Sequence, residues 1–182
     1  GKGLNMLAYK DHLRLMARYN QTMNAKLAAL AEGLPEEALL EDRGAFFGSI
    51  LGTMNHLVVA DLMWLRRIRP FPFGETLSAI DDLPKPAALN ELPYPTLQAY
   101  APVRARLDAA IVAFVDALSD DAIAGPLSYH NTRGLPFTKT LGLVLSHLFN
   151  HQTHHRGQIT TLLSQTDLDI GVTDLIALVP DL

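Results

Sequence analysis

Histidine supplies the chemistry available to this chain. There are seven histidines and no cysteine among its 182 residues, and four of the seven (His147, His151, His154 and His155) crowd into one short stretch. Over the run Lys139 to Leu163, Leu141, Val144, Leu148, Ile159 and Leu162 fall on one side of a helix, as an apolar stripe at about 100° per residue should. That stripe passes through His151 and His155. Side chains four apart stack on one helical face, so two imidazoles at this spacing can reach a single metal ion. His147 extends the same spacing into a ladder, which leaves the choice of pair open. The stripe selects His151 and His155 and turns His147 and His154 toward the rim. A pair of inward imidazoles bonded to backbone or carboxylate is the plainer alternative. Both rings would then have to stay neutral and satisfied out of water, which is costly without partners. A metal ion satisfies both at once and suits neutral imidazole.

Four long amphipathic segments can position such a pair. The first is expected from about Asn5 to Glu32, with Leu7, Leu13, Met16, Asn20, Met23, Leu27 and Leu30 on one face and Gly33-Leu34-Pro35 as its stop. Pro35 to Phe47 reads as a connector with an acidic turn. A second helix, Gly48 to Arg69, is apolar in nearly every direction, the signature of a central, buried helix. Its polar members Asn55, His56 and Asp61 therefore need an explanation. His56 stands in file with Gly52 and Ala60. On periodicity alone it is equally a ligand or a core histidine satisfied by hydrogen bonds. Asp61 could hold a ligand histidine by its second ring nitrogen, or pair with an arginine such as Arg156.

Pro70 to Pro95 carries six prolines and reads as a long surface crossover, a lid or site wall. Thr96 caps a third helix running to about Leu118, and Ser119, Asp120 and Asp121 end it. Leu127 to Thr138, around Asn131-Thr132-Arg133-Gly134, is a short β-hairpin leading into the histidine helix. Val172 to Leu182 is expected to form a short terminal helix. His12 and His130 read as boundary or surface residues. The expected architecture is all-α, a four-helix bundle in one domain spanning 1–182, and metal sites in such bundles are built from facing helices.

Composition narrows the chemistry. The chain is 48% apolar with a net charge of −4, and no Lys/Arg cluster suggests a nucleic-acid surface. Without cysteine, any metal must be held by His, carboxylate or water. No signal-peptide core or membrane-length apolar run is evident, so a soluble, cytoplasmic protein is expected. Gly1 to Gly3 carry no argument.

Two segments resemble a known family. Gly48-Ser49-Ile50-Leu51-Gly52-Thr53-Met54-Asn55-His56-Leu57, with Ala60-Asp61 and Trp64, resembles the second helix of the DinB/YfiT-like superfamily. His147-Leu148-Phe149-Asn150-His151-Gln152-Thr153-His154-His155-Arg156-Gly157-Gln158 resembles that family's most distinctive segment. Tyr19-Asn20 and Gly171-Val172-Thr173-Asp174 also fit. The resemblance covers essentially the whole chain. It implies an up-down-down-up four-helix bundle, commonly dimeric, and a divalent metal on His56, His151 and His155. Asp61, Asn55, His154 and Arg156 are then the polar residues expected to support those ligands. Zinc or nickel is the first expectation for the ion, with iron, cobalt or manganese as alternatives.

Activities in the family are less uniform, including thiol-dependent S-transferases that use bacillithiol, mycothiol or glutathione, and a mycothiol-dependent maleylpyruvate isomerase. Three neutral ligands leave an ion its full charge and open positions, as in catalytic sites. The leading expectation is a metal-dependent thiol transferase acting on a small molecule, with a low-molecular-weight thiol as cosubstrate. A hydrolase using activated water, with Asp61 or His154 as base, is the second reading. A non-catalytic, stress-associated metal-binding protein is the third.

Overall fold

The computed structural model describes residues 6–182. Four long helices dominate it: α1 (Tyr9–Ala31), α3 (Ile50–Ile68), α4 (Leu97–Ala117) and α6 (Leu141–Ser164). The expected start of the first helix at Asn5 lies outside the described residues. Short helices α2 (Glu36–Leu40) and α5 (Asp120–Ala124), two 3-10 turns (Pro72–Ile80 and Leu175–Leu178), and a two-stranded hairpin complete the order.

Two of the long helices, α3 and α4, begin at side-chain caps. Gly52 N donates to Ser49 Oγ at 2.9 Å at the head of α3, and Ala99 N donates to Thr96 Oγ1 at 3.1 Å at the head of α4. Each cap satisfies a backbone donor that the first turn leaves free. Ser119, expected only to end the third helix, also starts α5 by accepting from Ala122 N at 3.1 Å. The terminal segment forms the 3-10 turn Leu175–Leu178 in place of an α-helix.

Side-chain pairings fix the helix directions. Arg14, near the start of α1, meets Asp116, near the end of α4, at 2.9 Å, so these helices run antiparallel. Tyr9 at the start of α1 donates to Gly142 O at the start of α6, and Asn20 meets Arg156 further along both, so this pair is parallel. His56 faces His151 while Trp64 faces His147, which makes α3 antiparallel to α6. The result is an up-down-down-up bundle in which each long helix packs on two others.

α3 is the most enclosed of the four, with fourteen buried residues that include Asn55, His56 and Asp61. The hairpin pairs β1 (Pro126–His130) with β2 (Pro136–Thr140) in antiparallel register, Pro126 opposite Thr140 and His130 opposite Pro136. Gly134 takes the left-handed turn conformation at φ +78° that a side chain would resist. The crossover from α3 to α4 lies against both helices through its 3-10 turn. None of the helices is long and apolar enough to cross a membrane among the described residues.

Candidate metal centre

Ser49 starts α3 so that His56 falls two turns into the helix, on the side turned toward α6. His151 and His155 come from adjacent turns of α6, on the face bearing Leu148 and Ile159. Together they meet: one ring nitrogen from each of His56, His151 and His155 lies within 4.8 Å of the other two. The Nε2 atoms of His56 and His151 are 3.1 Å apart. Two nitrogens on one zinc ion, at bond lengths near 2.0–2.1 Å in tetrahedral geometry, stand roughly 3.3 Å apart.

The far sides of two rings settle which nitrogens are free. His56 Nδ1 lies 3.2 Å from the Leu89 carbonyl, which can only accept, so Nδ1 carries the proton and Nε2 presents its lone pair to the cluster. His155 Nδ1 donates in the same way to Gln158 Oε1 at 2.8 Å, one turn further along α6. A hydrogen bond from the non-ligating nitrogen to a carbonyl is how metal-binding histidines are commonly oriented. The donor set fits a divalent cation.

Electrostatics agree. Burial lowers the pKa of His56, and the neighbouring His155 adds to that, against the Leu89 carbonyl. Burial lowers His155 as well. His151 falls furthest, to about 4, through burial and then through the imidazoles around it. The three rings are therefore neutral at neutral pH, the state that binds a metal.

Backbone packing braces the cluster. Phe47 stacks on the His56 ring at 3.8 Å with 15° between planes and meets His155 edge-on. It can do so because its carbonyl rests on Gly52, where an added Cβ would come within 2.3 Å. Gly52 therefore seats the Arg43–Gly48 turn on α3. In front of the histidines opens a cleft of about 540 Å³ lined by Phe46, Phe47, Leu89, Asn90, His154 and Gln158. The expectation that the 70–95 crossover would form a wall is met by Leu89 and Asn90.

Asp61 touches none of the three histidines. Five residues along a helix is a rotation of about 140°, so it points away from His56 into the bundle interior. There it accepts from Arg104 Nη2 at 2.5 Å and from Gln152 Nε2 at 2.6 Å. The expected partner Arg156 donates instead to Asn20 Oδ1 and to Gln152 Oε1 at 3.3 Å. Asn55 donates to Tyr94 O and accepts from Tyr94 N, both at 2.9 Å, tying the end of the crossover to α3. His154 is exposed on the cleft rim, its ring 4.8 Å from that of His155. His147 is exposed against Trp64, as the stripe predicts, and so is His130.

Arg104 also holds Asp108 at 2.7 Å, and Asn20 and Asn24 donate to the same carboxylate. Burial alone would lower the Arg104 pKa, and the two carboxylates reverse that and raise it. Burial pulls Arg156 down to about 10, still charged at neutral pH. The interior thus holds two arginines and two aspartates, all buried. The sequence signal for this cluster was present as three polar i, i+4 pairs, Asn20/Asn24, Arg104/Asp108 and Gln152/Arg156, on three different helices. Gln158 and the Leu89 carbonyl carry no comparable signal.

Comparison with known proteins adds two findings. The model of the DinB family matches residues 6–177. Over 156 residues the chain is 24% identical to Protein DinB of Bacillus subtilis (strain 168), covering 86% of this chain and 87% of that protein.

Proposed function

Since the chain belongs to the DinB family, we propose that it is a metal-dependent enzyme whose divalent ion is held by His56, His151 and His155. The observation that carries this reading is the convergence of three neutral ring nitrogens, two of them with their opposite nitrogens bonded to carbonyl oxygens. Zinc or nickel is the first choice for an all-nitrogen set, with iron, cobalt and manganese as alternatives. When bound, such an ion supplies a positive charge that lowers the pKa of a thiol or of water.

The chain's own residues do the rest. Leu89 O and Gln158 fix the tautomers. Phe47 blocks rotation of the His56 ring and keeps water from one side of the cluster. Phe46, Phe47 and Leu89 give the cleft an apolar wall suited to the carbon skeleton of a small electrophile. No cysteine exists to act as nucleophile, so a thiol would enter as cosubstrate, and S-transfer is our leading assignment. Hydrolysis is the second reading. With Asp61 committed to Arg104 and Gln152, its candidate base on the cleft rim, among the described residues, is His154.

Metal-reconstituted protein, incubated with a panel of low-molecular-weight thiols and small electrophiles, should give thioether products. Turnover of ester or amide substrates without thiol would move the assignment to hydrolysis. Tight metal binding with neither activity would mark a metal-binding protein that is not an enzyme.

A further inference from the structure

Beyond His56, the next residues on the same side of α3 are Val59, Met63, Arg66 and Arg67. They form one wall of a second cleft, of about 760 Å³, completed by Lys85 to Leu89 and by the hairpin tip. At 1.5 Å per residue, the two arginines stand about 15 Å along the helix from His56. Leu89 joins the two clefts. Its carbonyl faces His56, and the residue lines both.

The second cleft is lined by cationic and neutral side chains, with one carboxylate, that of Glu91, behind its wall accepting from Ala87 N at 3.0 Å. No acidic residue lines it. Among the described residues, Arg66, Arg67 and Lys85 take part in no ion pair, while Asp81 and Asp82, close by in sequence, are taken by Arg69 and Arg106. The cations are also held in place. Arg66 donates to the carbonyls of Leu83 at 2.7 Å and Pro84 at 3.0 Å. The Arg67 guanidinium lies 4.5 Å from the Trp64 ring centre and 4.9 Å from that of Tyr129. Lys85 sits between Pro84 and Pro86, whose rings fix the local backbone.

Burial lowers the pKa of both arginines, a sign that charge is held partly out of water without a carboxylate in contact. An anion would relieve that cost, and charge-assisted bonds to guanidinium are strong. In a chain of net charge −4, such a grouping is not a general surface property.

We propose that this cleft binds a small organic anion, its carboxylate, sulfonate or phosphate taken by Arg66, Arg67 and Lys85 and its apolar body laid along Val59, Met63 and Leu89. That the body points toward the histidines rests on the reading of the metal centre given above. The anion site itself does not.

The test uses the metal-free full chain at low ionic strength, titrated with phenyl phosphate, inorganic phosphate and uncharged benzyl alcohol, and read by calorimetry and ligand-observed NMR. Phenyl phosphate should bind. Arg67→Gln should weaken it about ten-fold or more, the loss of one charge-assisted bond. Lys85→Gln, at an exposed position where folding is not at risk, should weaken it several-fold. Because the titrated chain is metal-free, failure of the metal centre cannot be mistaken for failure of the anion site. Absence of binding, equal affinity in Arg67→Gln and Lys85→Gln, or equally tight benzyl alcohol would overturn the proposal. Inorganic phosphate binding as tightly as phenyl phosphate would overturn the organic ligand.

Discussion

His155 has both jobs a ligand needs, a free nitrogen toward the cluster and a bonded one behind it, whereas His147 and His154 have neither. His155→Ala should therefore lose tight metal binding, while His147→Ala and His154→Ala keep most of it. Metal content per chain after dialysis decides this, and retention by His155→Ala would undo the assignment. Gln158→Leu removes the oxygen that orients His155. It should cost about 10–100-fold in metal affinity with little change in melting temperature. Protons compete for the same nitrogens. In the folded, metal-free chain His151 titrates near 4, and in the unfolded chain near its ordinary value of about 6.5. Between those values the unfolded state holds more protons, so this group lowers stability as pH falls through 6.5 toward 4 and has no effect above. Urea unfolding with chelator present should show that decline, and His151→Gln should make it shallower.

At the scale of elements, α3 and α6 were legible in the sequence because each carries a single dominant signal. All-round apolarity marked α3 as central, and an apolar stripe through two histidines marked the inward face of α6. A cap at Thr96 placed the start of α4, whereas α3 was marked by its apolarity alone. Local pattern cannot show what meets across helices. Asp61 is within one and a half turns of His56 in sequence, yet its partners Arg104 and Gln152 are 43 and 91 residues away. The Leu89 carbonyl was hidden for the same reason, since every residue has one. The distinction is testable. Asp61→Asn leaves Arg104 short of a counter-charge in the interior, and breaking such a pair costs about 3–5 kcal/mol. Thermal unfolding should drop by roughly 10 °C for a domain of this size, and metal content per folded chain should stay near wild type. Loss of metal without loss of stability would return Asp61 to the histidines.

Considered whole, the molecule leaves apolar side chains uncovered at one end of the bundle, where parallel α1 and α6 begin. Leu7 is 79% and Leu143 63% exposed. A chain that pairs with itself through a helical face would use this end as its seam, and a stable pair should bury upward of about 1,000 Å². Sedimentation at micromolar concentration should give a dimer that Leu143→Glu converts to monomer, and a wild-type monomer would refute it. The buried set of two arginines and two aspartates has a different kind of consequence, one for descent. Its members come from α3, α4 and α6, with asparagines from α1 beside them, and replacing Arg104 or either aspartate leaves an opposite charge short of its partner in the interior. Two helices must then change together for the fold to keep its stability, because residues sharing such a network do not vary independently. A lineage that exchanged this cluster for an apolar core would first have to pass through a poorly folding ancestor.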